Sequence, residues 1–201
     1  MRTQAWLFLA IGFALGFAGI YTWTKQRAPD VVRATPVAID PQVPTDLSRG
    51  GSSQTPSAPP VDPARAEALQ SKIKADPKDF DSLVELGNIR FDQQNFDETI
   101  KLYQQAVAVR PNALEVRTDL GTAMFYQRRF DDAIAEFNTA LKQSPADAQA
   151  LFNLGVAMLH GKNDPDSALK YWEKLVETNP GHPQVPFVKE QIRQVKEQRQ
   201  K

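Results

Sequence analysis

The chain has 201 residues, with 24 basic and 24 acidic side chains and a formal net charge of zero. That balance gives no electrostatic case for nucleic-acid binding. Cysteine is absent, which excludes disulfides, thiol nucleophiles and cysteine-based metal sites.

Residues 7–23 form an uncharged run, LFLAIGFALGFAGIYTW, in which Thr22 is the one clearly polar member. With Trp6 the run reaches 18 residues, near the lower limit for crossing a hydrocarbon core of about 30 Å. Trp6 on one side, and Tyr21 and Trp23 on the other, stand where interfacial aromatics belong. The pattern predicts a transmembrane signal-anchor helix over residues 6–24. The competing reading is a cleaved secretory signal. Against it, the run exceeds the usual apolar core of about 7–15 residues, and no small-x-small site follows directly. Gly12 and Gly16 have the spacing of a close-packed helix pair, so a homodimer through the anchors is one expectation. Arg2 precedes the run and Lys25 and Arg27 follow it, a bias too slight to orient the helix. A short tail before a single anchor resembles a bacterial signal anchor of the inner membrane, which places the rest of the chain on the periplasmic side.

From 25 to 62 the composition changes. Between Ala28 and Pro63 there are eight prolines, an SRGGSSQTPSAPP tract and no apolar periodicity. Such a stretch buries too little to offset ordering entropy, so a disordered Pro-rich linker is expected. At about 3.1 Å per residue it would reach roughly 100 Å. Pro41-x2-Pro44 and Pro56-x2-Pro59 also fit ligands of polyproline-binding modules, although spacers of this composition contain such pairs by chance.

Folded structure is expected over 63–201, opening at Pro63 with Asp62 as N-cap. A lone helix over 64–75 carries Ala66, Leu69 and Ile73 on one face. Helix pairs follow at 79–92 with 96–109, 112–127 with 130–143, and 146–160 with 165–178. The third pair is joined by HGKNDP, one residue longer than its counterparts. There Gly161 suits a C-cap, and Asp164-Pro165 a helix start. A final helix over 186–199 has a docking stripe of Phe187, Val188, Ile192 and Val195 and a charged outer face.

The pairs repeat one sentence. Gly87, Gly121 and Gly155 follow a leucine in mid-helix at intervals of 34 residues, and Pro77, Pro111, Pro145 and Pro180 are spaced 34, 34 and 35. Glycine there costs about 1 kcal/mol relative to alanine, which is tolerable where a neighbour approaches too closely for a Cβ. Ala106, Ala133 and Ala140 are read as the small partners of that contact, and Tyr103, Phe137 and Trp172 as fillers between successive hairpins. The prolines end the second helix of each pair.

This spacing of Leu-Gly, Ala, aromatic and Pro resembles the tetratricopeptide repeat. The resemblance implies an all-α solenoid of helix hairpins with three repeats at about 80–113, 114–147 and 148–182 and flanking helices, to which the apolar run adds the N-terminal transmembrane helix. It also implies a concave groove lined by each repeat's first helix, at the second, fifth, ninth, twelfth and thirteenth places. Those places select Asp81, Val84, Asn88, Phe91 and Asp92, then Glu115, Thr118, Thr122, Phe125 and Tyr126. The third repeat contributes Gln149, Phe152, Val156, Leu159 and His160. Phe91 and Phe125 have inter-helix packing as an equal alternative. Only Asn88 and Asn153 fit the Lys/Arg/Asn set that clamps a terminal carboxylate in some relatives, so that mode is disfavoured. The expected partner is an apolar or mildly basic protein segment, laid in the groove as a helix.

His160 and His182 are too far apart, and too poor in neighbouring ligands, for a metal. No phosphate loop follows a strand. The expectation is a membrane-anchored adaptor or scaffold with no catalytic residue and no cofactor. Two alternatives stand beside it. One is a self-associating structural scaffold. The other starts from the wording Ala168-Leu-Lys-Tyr-Trp172, followed by Asn179-Pro180-Gly181-His182-Pro183, which is similar to repeat factors of cytochrome c maturation and implies binding of apocytochrome.

Overall fold

A computed structural model describes residues 63–199. The anchor helix at 6–24 with Gly12 and Gly16, the linker at 25–62 and the Asp62 cap lie outside them. Among the described residues all regular structure is helical: α1 (Pro63–Ala75), α2 (Phe80–Asp92), α3 (Phe96–Val109), α4 (Leu114–Tyr126), α5 (Phe130–Gln143), α6 (Ala148–Val156), α7 (Pro165–Thr178) and α8 (Val185–Gln198). α6 continues into a π-helical turn, Ala157–Gly161. Among these helices none is long and apolar enough to cross a membrane. Each packs on the next in chain order, so α2–α3, α4–α5 and α6–α7 are stacked hairpins between the single helices α1 and α8. The described residues thus form a helical-hairpin solenoid.

The prolines do more than stop helices. Arg110, Ser144 and Asn179, which precede three of them, leave the α region at φ −128°, −134° and −134°, as the proline ring requires. Each proline then takes the second place of a tight turn. Asp79, Ala113, Asp147 and His182 donate their backbone N–H to Asp76, Arg110, Ser144 and Asn179 at 3.0–3.1 Å. Proline's fixed φ suits that place. These turn residues read as helix in sequence, which is why α4 and α6 start two residues later than expected. The second helices α3, α5 and α7 have the expected bounds.

Within each hairpin the reversal needs one left-handed residue: Gln94 (φ 58°), Arg128 (φ 60°) and Asn163 (φ 52°). In the first two hairpins the next amide closes over five residues, Asn95 to Arg90 and Arg129 to Met124. In the third, Asp164 reaches back six, to Met158, at 2.8 Å. The extra residue is therefore absorbed inside α6 as the π turn, and the reversal itself is unchanged. Gly161 is thus not a C-cap. It stands in the place of Tyr126, where a Cβ would lie 2.7 Å from the Phe130 ring. Asp164 caps α7 as expected, accepting from Ser167 N–H at 3.0 Å, with Pro165 in the first turn.

The mid-helix glycines also have a different partner from the expected one. A Cβ on Gly87 would stand 2.5 Å from the Tyr103 ring, on Gly121 2.6 Å from Phe137, and on Gly155 2.0 Å from Trp172 Nε1. The nearest neighbour is the aromatic of the same hairpin's second helix, not an alanine. Ala106, Ala133 and Ala140 are fully buried. Tyr103, Phe137 and Trp172 thus lock each hairpin internally. Each is at most 1% exposed, a burial that stabilises by about 1.5–3 kcal/mol per side chain.

Candidate functional site

One face of the solenoid is built by first helices alone. α4 and α6 touch directly, and two side-chain contacts cross between first-helix places. Asn153 Nδ2 donates to Thr122 Oγ1 at 3.0 Å, and the Phe152 and Phe187 rings of α6 and α8 stand 6.1 Å apart, edge to face. Helices on the inner side of a curved stack approach one another in this way.

The expected groove residues divide into three groups. Asp81 and Glu115 are exposed, and Val84 and Asn88 are half-buried. Asn88 Oδ1 accepts the Tyr103 hydroxyl at 2.6 Å. This first group occupies an accessible surface on α2 and α4. Asp81 lies 3.5 Å from Arg110, whose guanidinium also covers the Phe80 ring.

A second group is enclosed. Thr118, Thr122, Phe152 and Val156 were expected to line an open groove, yet each is at most 3% exposed, and Gln149 is 9% exposed. The cause is the close approach of the first helices, which makes these places interface. Gln149 Nε2 donates to Asn153 Oδ1 at 3.0 Å, Asn153 to Thr122, and Thr122 to the Thr118 carbonyl at 2.9 Å. A chain of this kind satisfies the polar atoms it buries. It also commits Asn153, one of the two residues that fitted a carboxylate clamp. Phe152 is covered by Phe187, and its carbonyl accepts Trp172 Nε1–H at 3.1 Å.

The third group sits at the hairpin-turn edge. Tyr126 stacks on Phe96, with ring centroids 5.2 Å apart and planes 11° apart, and meets Phe91 edge-on at 5.8 Å. Phe125 packs against Phe130. Phe91 and Phe125 are therefore inter-helix packing residues, the alternative weighed for them. Tyr126 joins them instead of projecting freely into a groove. His160 is exposed, but the π turn moves it off the thirteenth place, which Gly161 takes.

The electrostatics of this face follow from where the cations go. Arg90 pairs with Glu98 at 2.8 Å, and Arg117 with Glu136 at 2.7 Å and with the Pro111 carbonyl. Both turn into their own hairpins and away from the shared surface. α6 contributes no charge. Four carboxylates are held below their ordinary range, all by hydrogen bonds at helix starts or in ion pairs. Asp79 and Asp164 are lowered by the Ser82 and Ser167 hydroxyls, Glu85 by Arg65 and Glu190 by Arg193. Among the described residues no three metal-ligating side chains converge.

The final helix expected over 186–199 is present as α8, but the sequence reading treated it as a cap and did not see that it takes the place of a repeat's first helix. The same proline-centred turn that opens α2, α4 and α6 also precedes α8, at Asn179–His182. The Pro180 spacing was the available signal. The absent Leu-Gly pair concealed it.

Two tetratricopeptide-repeat family models match residues 79–144 and 118–183, together just over half of the chain. No curated protein matches it. Among solved structures, MamA is similar over 65% of this chain and 79% of its own, at 22% identity and a TM-score of 0.56. YrrB, described as a repeat protein with an unusual peptide-binding site, aligns over 62% of this chain and 64% of its own, at 22% identity and a TM-score of 0.57. The first repeat domain of Spaghetti (RPAP3), bound to the HSP90 peptide SRMEEVD, aligns over 70% and 98%, at 21% identity and a TM-score of 0.52. The repeat in register, the glycine–aromatic locks and these matches agree: the chain belongs to the tetratricopeptide-repeat family.

Proposed function

We propose that the chain is a non-enzymatic adaptor that holds a segment of a partner protein on its first-helix face. Residues 6–24 anchor it in a bacterial inner membrane, and residues 25–62 space the repeats from that membrane on the periplasmic side. The observation that carries the reading is the chemistry of the accessible surface on α2 and α4. Exposed Asp81 and Glu115 flank half-buried Val84 and Asn88, and the Asn88 side-chain oxygen is held by the Tyr103 hydroxyl. A small part-apolar surface with an acidic rim suits a mildly basic segment. YrrB and the RPAP3 domain, which share the fold, support the mode of action. Arg90 and Arg117 are paired within their hairpins, and Arg110 meets Asp81 in an exposed 3.5 Å pair that a partner's cation would have to displace or share.

The test is capture of membrane proteins by the full chain, as wild type and with Asp81→Lys plus Glu115→Lys. Rim charges act mainly through long-range attraction, so partner recovery should fall several-fold at low salt, and the difference should fade as salt rises. Equal recovery at low salt would place the partner on another surface.

A further inference from the structure

The turn that opens each repeat occurs a fourth time. His182 donates its N–H to Asn179 across Pro180 at 3.0 Å, as Asp79, Ala113 and Asp147 do across their prolines. α8 then packs on α7 as α4 packs on α3 and α6 on α5. It buries Val185, Val188 and Val195 and is pinned by Lys196–Glu173 and Arg199–Asp166 ion pairs at 2.7 and 2.6 Å. α8 therefore takes the place of a first helix in the stack. Counted from its turn, Phe187 falls on the fifth place and Gln191 on the ninth. The Phe187 ring meets Phe152, the fifth-place residue of the preceding repeat, as that count requires. Phe152 is 1% exposed, whereas Phe187 is 36% exposed, the large apolar side chain left open among the described residues.

Resting on the adaptor reading above, we infer that α8 is a fourth wall of the partner site and that Phe187 is its apolar anchor. The face changes character along the stack. The second place runs from Asp81 and Glu115 to neutral Gln149, and the fifth place from Val84 to the Phe152–Phe187 pair. A segment complementary to both trends carries Lys or Arg where it crosses α2 and α4, and a large apolar side chain where it meets α8. An aromatic one-third open stays hydrated until a partner covers it, and such residues concentrate binding energy. Gln191, four residues on and half-buried, lies on the same side of α8 as Phe187 and borders the covered area.

The experiment pans the full chain, in mild detergent, against a phage-displayed library of random dodecapeptides. Recovered peptides should place cations toward one end and a large apolar residue toward the other. Their affinity should fall at least about tenfold in Phe187→Ala and in Gln191→Arg, with the helical circular dichroism of the chain unchanged. Should Phe187→Ala lose structure by uncovering Phe152, Gln191→Arg decides alone, because Gln191 is not in the buried stripe of α8. Peptides that are weakened by Glu115→Lys but indifferent to both α8 variants would remove α8 from the site and leave the adaptor reading standing. Peptides indifferent to all three variants, or no recovered peptides, would overturn both.

Discussion

The glycine–aromatic lock gives the sharpest stability prediction, because two terms of opposite sign meet at one atom. In Gly121→Ala the new Cβ would stand 2.6, 2.8 and 3.1 Å from Cε1, Cδ1 and Cζ of Phe137. Carbon atoms ordinarily rest about 3.5–4.0 Å apart, so the ring must retreat by about 1 Å. Phe137 is 0% exposed, so the ring must move against the packed interior. Overpacking of this kind costs about 1–3 kcal/mol, while the better helix propensity of alanine returns about 1 kcal/mol. The clash should win by up to about 2 kcal/mol. In a Phe137→Leu background the ring is gone, and the same substitution should become neutral or mildly stabilising. Urea unfolding of the four chains of this cycle, followed by circular dichroism on a fragment beginning at Pro63, should give a coupling of about 2 kcal/mol. Gly155→Ala should cost more than Gly121→Ala. There the Cβ would fall 2.0 Å from Trp172 Nε1, and moving the indole also breaks its bond to the Phe152 carbonyl. Stabilisation by Gly121→Ala with Phe137 in place, or the same effect in both backgrounds, would refute the lock.

Phe152→Ala should destabilise by about 3–5 kcal/mol, because the residue is enclosed by α8 and not displayed in a groove; an unchanged melting curve would show that α8 is not docked there. The caps on α2 and α7 make stability pH-dependent. The folded-state pKa values of Asp79 and Asp164 are lowered by Ser82 and Ser167, so their contribution is complete above the ordinary carboxylate range and is lost as pH falls through the lowered values. Asp79→Asn, which keeps a capping oxygen, should flatten the acid limb of a plot of melting temperature against pH, and an unaltered limb would assign it to other groups. The anchor proposal predicts that the native chain stays with membranes after carbonate washing, whereas a chain beginning at Pro63 is soluble and helical. Release of the intact chain by carbonate would count against an apolar span.

How much of this was legible in sequence depended on whether a feature is local. The bounds of α3, α5 and α7 could be read because their signals are local: Asn95 and Asp164 cap, Pro165 suits a first turn, and prolines close each second helix. The extra residue before Asp164 was visible as a count, but not as a π turn. A loop and a helix absorb one residue equally well in sequence, and only the six-residue reach from Asp164 to Met158 decides between them. The glycines were correctly read as points of close approach, yet their partner was misassigned, since spacing alone does not say which surface of a helix faces which neighbour. The groove was the least legible feature. Whether Thr118 or Phe152 is open or enclosed depends on how closely successive first helices approach, a property of the stack that no single repeat encodes.

The central claim is that the partner lies on the first-helix face. It is tested most directly by placing a photo-crosslinking amino acid in the full chain, either at Val84 on that face or at Lys101, exposed on the second helix α3. Irradiation in native membranes should join a partner protein to the chain from position 84 and leave position 101 unlinked. Crosslinking from position 101 alone, or equally from both, would contradict it.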